Sequence, residues 1–345
     1  MVGTEFFLGR KSQISYAREI DSGVESYADS DGMDNLDAAF SGGMYMGHNV
    51  VHSINDTTLL TERYTNGTTR EAVGHYSPMK RYANNLTFDV THWWPLYYAL
   101  GKCTTTDDTP SGYETHVFDT METDYLPSFV LEHIHKAGTP EIRNYLGCTV
   151  NKLTLTGSKG DPIKASVDYI AQSVKKDASA QTVVDIATDP YLTTESSLLF
   201  DFANGGAATS LSAETHVDNW ELTIDNNLYA EPTCAGATAK QIARPKPQQL
   251  NYTLTWTMPM TDDDEYDAFD VGTEFAAQLY VLRHVTNDYL KLTLEEGTIE
   301  SAPDPIDSSS GLKFQTCKAK MSILDATGAN NTAIDTHSDD YYEVI

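Results

Sequence analysis

Positive charge is what this sequence has least of. Lysine and arginine number 23 among 345 residues, against 50 aspartates and glutamates, and the formal net charge is −27. Charged residues of both signs make up 21% of the chain, slightly under the usual quarter, so the imbalance comes more from missing bases than from surplus acid. Such a surface repels phosphate and excludes a grip on DNA or RNA through a basic groove. Cysteine is scarce too. Cys103, Cys148, Cys234 and Cys317 are too few for a disulfide framework and too far apart for a close-spaced zinc site, and they read as buried free thiols. No apolar run approaches the ~20 residues of a membrane helix, so no membrane partner is expected. The stretch from Met1 to Arg10 lacks the basic start and long apolar core of a secretory signal; the expectation is a chain made and folded inside a cell. Phosphate-cradling glycine loops, G-x-S-x-G elbows and H-E-x-x-H helices are missing. No enzyme, cofactor or metal is assigned, although a carboxylate-pair hydrolase would leave no local signature.

What is present is enough to build a core: 40% hydrophobic residues, with 20 tyrosines and 11 phenylalanines, which excludes general disorder. An acidic surface on a folded chain suits concentrated salt, where screening removes self-repulsion, and points to a salt-loving host.

Period-2 alternation dominates. In Leu250–Met258, Tyr252, Leu254 and Trp256 fall on one face with threonines on the other. Ile163–Tyr169 alternates in the same way around Ile163 and Val167, Trp220–Asp225 around Trp220, Leu222 and Ile224, and Leu290–Glu295 likewise. Leu153 and Leu155 precede a turn at Gly157–Pro162, giving a hairpin. These ten residues (Leu153, Leu155, Ile163, Val167, Trp220, Leu222, Ile224, Tyr252, Leu254 and Trp256) are the expected core of antiparallel sheets with one packed and one wetted side.

Two short helices are expected. Thr91–Gly101 has a Thr start, an early Pro and a closing Gly; Thr261–Gly272 has a Thr cap and acids in its first turn, with Tyr266 and Phe269 turned to the sheet. Strand–helix–strand order around them repeats after about 150–165 residues, which suggests an internal duplication. Residues 21–43, 104–114 and 301–311 read as irregular, and 203–214 as a linker dividing the chain near residue 210.

His133 and His135 share one side of a strand and fit either a metal site with a third ligand from elsewhere or two exposed positions around a buried Ile134. The acid runs Asp262–Glu265 and Asp29–Gly32 lack calcium-loop spacing. The basic groups Arg10, Lys11 and Arg18, Lys175–Lys176, and Lys240–Lys246 around Arg244 fit partners for acid on another copy or solvated loop charge. Trp93, Trp94, Trp220 and Trp256 read as core.

From Leu126–Glu132 through Tyr145–Leu155 to Pro162–Tyr169, and again over Trp220–Asn227 and 250–258, the chain resembles the tail tube proteins of long-tailed viruses, with Gly101 closing the first helix at a familiar position. The resemblance implies tandem β-sandwich or barrel domains, each with a short helix, here 1–210 (with a long N-terminal arm region inside 21–80) and 211–345. It implies a virion structural protein that assembles into rings, a trimer with pseudo-six-fold symmetry being favoured over a hexamer, and rings that stack into a conduit for genome delivery. The implied partners are the chain itself, tape-measure, terminator and baseplate proteins, and DNA passing without specific binding. A lumen carrying negative charge would let that DNA slide. A halophilic surface module that binds carbohydrate is the alternative.

Overall fold

Alternating sequences become strands here because a pleated chain turns successive side chains to opposite faces. The computed structural model describes residues 13–18, 46–63, 74–108, 113–121, 125–135, 141–177, 189–214, 216–230, 245–259, 264–283, 285–303 and 314–331. Eighteen strands and two helices run through them, all sheet pairings antiparallel. The strands are β1 (Gln13–Arg18), β2 (His48–Ser53), β3 (Asp56–Arg63), β4 (Gly74–Asp89), β5 (Gly101–Asp108), β6 (Tyr113–Thr120), β7 (Phe129–His135), β8 (Glu141–Ser158) and β9 (Lys164–Ala171). Then follow β10 (Ser173–Asp177), β11 (Ser196–Asp201), β12 (Ser212–Glu214), β13 (Asn219–Asp225), β14 (Asn251–Pro259), β15 (Phe275–Arg283), β16 (Val285–Ser301), β17 (Phe314–Met321) and β18 (Ile323–Asn331). Helix α1 is Trp94–Leu100 and α2 is Asp264–Val271.

One wide sheet runs β2/β3–β4–β9–β8–β13–β14–β17–β16. The long strands β8 and β16 bend out of it, and their first halves build two further sheets, β1–β7–β8–β10 and β12–β11–β15–β16–β18–β6–β5. The core fills the space between the wide sheet and these two, and its largest fully buried members include Trp93, Trp94 and Trp256.

The same pairing scheme occurs twice, and two of its ladder slips recur at matching places, although the β15–β16 slip between Leu282 and Arg283 has no counterpart in β7–β8. The β7–β8 ladder slips between Phe129 and Leu131, and β15–β16 slips between Phe275 and Ala277, 146 residues on. The β8–β9 ladder slips between Val150 and Lys152, and β16–β17 between Ile299 and Ser301, 149 residues on. Ser173 opposite Leu146 is matched by Ile323 opposite Glu295. Even the backbone bend recurs, with φ of 63° at Gly147 and 52° at Glu296. The helix starts, Trp94 and Asp264, are 170 residues apart, because the β5–β6 hairpin is inserted after α1 only. Strands on the two sides of residue 210 pair directly, β8 with β13 and β6 with β18.

Several expectations need correcting. The 203–214 tract is no linker: it is the turn of the β11–β12 hairpin, held by Asp201, whose carboxylate accepts the backbone N–H of Ala203 at 3.1 Å and of Ser210 at 2.7 Å. Residues 104–108 and 113–114 are not irregular, since the threonine-rich run forms the β5–β6 hairpin. In the N-terminal stretch, β2 and β3 pair with β4; residues 19–45 and 64–73 lie outside the described residues. Helix α1 starts three residues later than expected, with Trp93 as N-cap and no side-chain cap bond, while Gly101 at φ 104° closes it as foreseen. On α2 the inward residues are Glu265 and Ala268, 3% and 6% exposed, and Tyr266 and Phe269 are each 41% exposed. The aromatic pair has the right spacing but points along the opposite side of the helix. Thr261 lies outside the described residues.

Candidate assembly surfaces

All ten expected core residues are buried, none more than 6% exposed. Leu222 lies opposite Leu254 on one flank and Leu155 on the other, and Ile224 opposite Tyr252 and Leu153. This line joins the two repeats. Its end is a close fit between Trp220 and Gly157, where a Cβ on residue 157 would overlap the indole ring.

A buried ion pair ties the same halves elsewhere. Arg283 Nε donates to Asp288 Oδ2 at 2.7 Å, and Tyr191 OH donates to Asp288 Oδ1 at 2.6 Å. Arg283 Nη1 donates to the Thr91 carbonyl at 2.7 Å, just ahead of α1, and the guanidinium stacks 4.6 Å from the Tyr191 ring. Sequence reading passed over this cluster because its members are 97 and 192 residues apart in sequence. The only hint was a lone Arg in an apolar strand.

His133 and His135 do share one side of β7, with ring centroids 4.1 Å apart. The expectation of two exposed positions fails for His133, which is 6% exposed. It is covered by His52 of β2, Nδ1 to Nδ1 at 3.0 Å, and His52 Nε2 meets Tyr169 OH at 2.7 Å. Burial, then the neighbouring His133 and His135, lowers His52 to about 3; burial and His135 lower His133 to about 4. Among the described residues no group of three His, Cys, Asp or Glu is placed to hold a metal ion. Glu141, on the adjacent strand, accepts from Lys176 at 2.8 Å and from Arg143 at 3.1 Å, and these bonds lower its carboxyl to about 2. Lys176 is thus paired within the chain.

Cys103, Cys148 and Cys317 are buried free thiols, and burial pushes Cys103 and Cys317 up to about 12. Cys234, Arg10, Lys11, Lys240, Arg244, Asp262 and the Asp29–Gly32 run lie outside the described residues, and Arg18 ends β1.

The second surface is the wetted side of the wide sheet. Thr154, Thr156, Thr223, Thr253, Thr255 and Thr257 occupy its middle, all half-buried, with Thr257 and Thr316 hydroxyls 2.9 Å apart. Lys152 pairs with Asp168 at 3.3 Å, and Glu300 holds both Lys318 at 2.8 Å and Lys320 at 3.2 Å. A third feature is a groove of about 500 Å³ between α2 and the β11–β12 hairpin, floored by Phe200, Phe202, Ala268 and Val271.

No helix among the described residues is long and apolar enough to cross a membrane. No curated protein matches the chain. A solved structure described as the cryo-EM structure of the anti-feeding prophage (AFP) baseplate, 6-fold symmetrised, is similar at 10% identity over 42% of this chain and 98% of that one, with a TM-score of 0.32; at that score the likeness decides nothing. A family model described as phage tail tube protein matches residues 9–317. With that match over nearly the whole of a mainly β chain, the protein belongs to the phage tail tube protein family and is a structural component of the virion tail.

Proposed function

We propose that this chain is the tube subunit of a siphovirus-like virus of a halophilic archaeon, that three copies close one ring, and that rings stack into the channel for the genome. The observation that carries the reading is the twice-repeated pairing scheme, with two matched ladder slips, inside one member of a tube family. Each chain then brings two tail-tube-like units, and a three-fold ring has pseudo-six-fold symmetry. The second unit begins with β11, the counterpart of β1, so the division proposed falls ahead of Ser196 and not at residue 210.

Among the described residues the wide sheet has eight strand positions and two open edges, β2/β3 and β16–β17. Edge pairing between copies would bury those backbone groups and set the ring geometry. Twenty-four strands about 4.8 Å apart, tilted about 40°, enclose a cylinder roughly 45–50 Å between backbones, with room for a DNA duplex. The ring carries no chemistry of its own; its partners are further rings and the tape-measure, terminator and baseplate proteins of the tail. The acid excess of −27 supports a host rich in salt, where it keeps the outer wall hydrated.

Electron microscopy of the purified protein in molar salt tests the reading. Stacked rings with a central hole are expected; dispersed monomers would overturn it.

A further inference from the structure

The wetted side of the wide sheet differs in charge from the chain that carries it. Over the whole sequence there are roughly two acids for every base. On this face the described residues pair Lys152 with Asp168 and both Lys318 and Lys320 with Glu300. The other charges are Arg81, Asp89, Lys164, Glu221 and Asp225, which alternate to the same side of β4, β9 and β13; Asp89, opposite Lys164, is 4% exposed. Five bases thus face five acids, and the charges balance. Between them lie hydroxyls and amides: Asn85 Nδ2 donates to Ser166 Oγ at 2.8 Å and to Asp168 Oδ1 at 2.7 Å, and Thr154 and Thr223 meet across the repeat junction. The acids gather elsewhere, as on α2 with Asp264, Glu265, Asp267 and Asp270.

Two further facts single this face out. The wide sheet is the one to which both repeats contribute equivalent strands, β4, β9 and β8 matching β14, β17 and β16, so it is the sheet that a closed cylinder would use. Its wetted side also stays half-buried or exposed along β13, β14, β17 and residues 152–158 of β8.

We infer that this face is the wall past which double-stranded DNA travels, and that ion pairs and hydroxyls within the wall keep it near electroneutral. The inference rests on the tube reading and replaces the acid-lined channel expected from bulk composition. Tight binding to a phosphate backbone needs unpaired Lys or Arg to release counterions, and here three of the five bases already have carboxylate partners. A strongly acidic wall would instead oppose filling by repulsion at close range. Neutral hydroxyls can hydrogen-bond water, and a phosphate that leaves one threonine meets the next at similar energy.

The test uses assembled tubes, checked first by electron microscopy. In Thr255→Cys tubes, residue 255 should react with a small maleimide and be at least tenfold slower with a maleimide carrying a polymer of several kilodaltons. Asp325→Cys, on the wetted side of the other sheet of that repeat, should react with both, after subtraction of wild-type labelling. A tube with Glu221→Lys, Asp225→Lys and Glu300→Lys should retain duplex DNA at the lowest salt that preserves rings and release it as salt rises, whereas wild-type tubes retain none. Equal labelling of residue 255 by both reagents overturns the inference, as does retention of DNA by wild-type tubes or none by the triple variant. Absence of rings overturns the tube reading itself, and so the two failures are distinguishable.

Discussion

Glu296 shows most directly how one residue reports on the duplication. Its counterpart Gly147 holds φ of 63° without penalty, but Glu296 takes φ 52° with a Cβ, which costs ~1 kcal/mol or more. Glu296→Gly should therefore stabilise the protein by about 1 kcal/mol, seen as a higher denaturant midpoint. Gly147→Ala should do the reverse, since its Cβ would also meet Gln172 Oε1 at 2.7 Å. Arg283 and Asp288 are 4% and 1% exposed in their side chains. Removing one partner leaves a buried charge unmatched, so Arg283→Ala should cost about 3–5 kcal/mol, measured by the same denaturation. Protonation supplies a third residue-scale outcome. His52 and His133 are held neutral in the fold, with values lowered from 6.5 to about 3 and about 4. The unfolded chain binds protons below about 6.5 while the fold does not, so stability is full above that pH and falls as pH drops toward 4. For His52 alone the loss by pH 4 is on the order of 3 kcal/mol. His52→Asn should flatten the slope of denaturation midpoint against pH between 6.5 and 4; an unchanged slope would place the effect elsewhere.

Among the elements, the strands whose faces alternate cleanly were legible in advance: β9, β13 and β14 follow the polar–apolar pattern of Ile163–Tyr169, Trp220–Asp225 and Leu250–Met258 with burial to match. Helix α1 was legible from Pro95 and Gly101, because both act through the local backbone. The pattern failed where burial is decided by a distant partner. β7 is buried on both faces, its pattern BBBBBBi, so His133 could not be told from an exposed residue until His52 arrived from β2. Tyr266 and Phe269 misled because apolar spacing says that a stripe exists and not which way it turns. The β5–β6 hairpin was hidden by polar threonines and aspartates at 104–114. At the junction of the repeats, Gly157→Ala should force the Trp220 indole off β8 and destabilise by about 2 kcal/mol or more through overpacking. Trp220→Ala in the same background should relieve part of that loss, a coupling that a double-mutant cycle reads.

At the scale of the whole molecule, the composition excluded a nucleic-acid grip, and the placement of charge qualifies what the acid excess means. The −27 does not extend to the wetted face of the wide sheet, which is balanced; it belongs to helices, loops and the remaining surface. The duplication could be suspected from strand–helix–strand order alone; what supports it beyond that is two matched ladder slips, which are a property of hydrogen-bond register and leave no mark in residue identity. In the ring proposed above each chain supplies two units, so three chains close it. The mass of one purified ring, by native mass spectrometry in the salt that preserves it, measures that number directly. Three chains of 38.1 kDa each are the predicted result, and a ring of six chains would contradict the account.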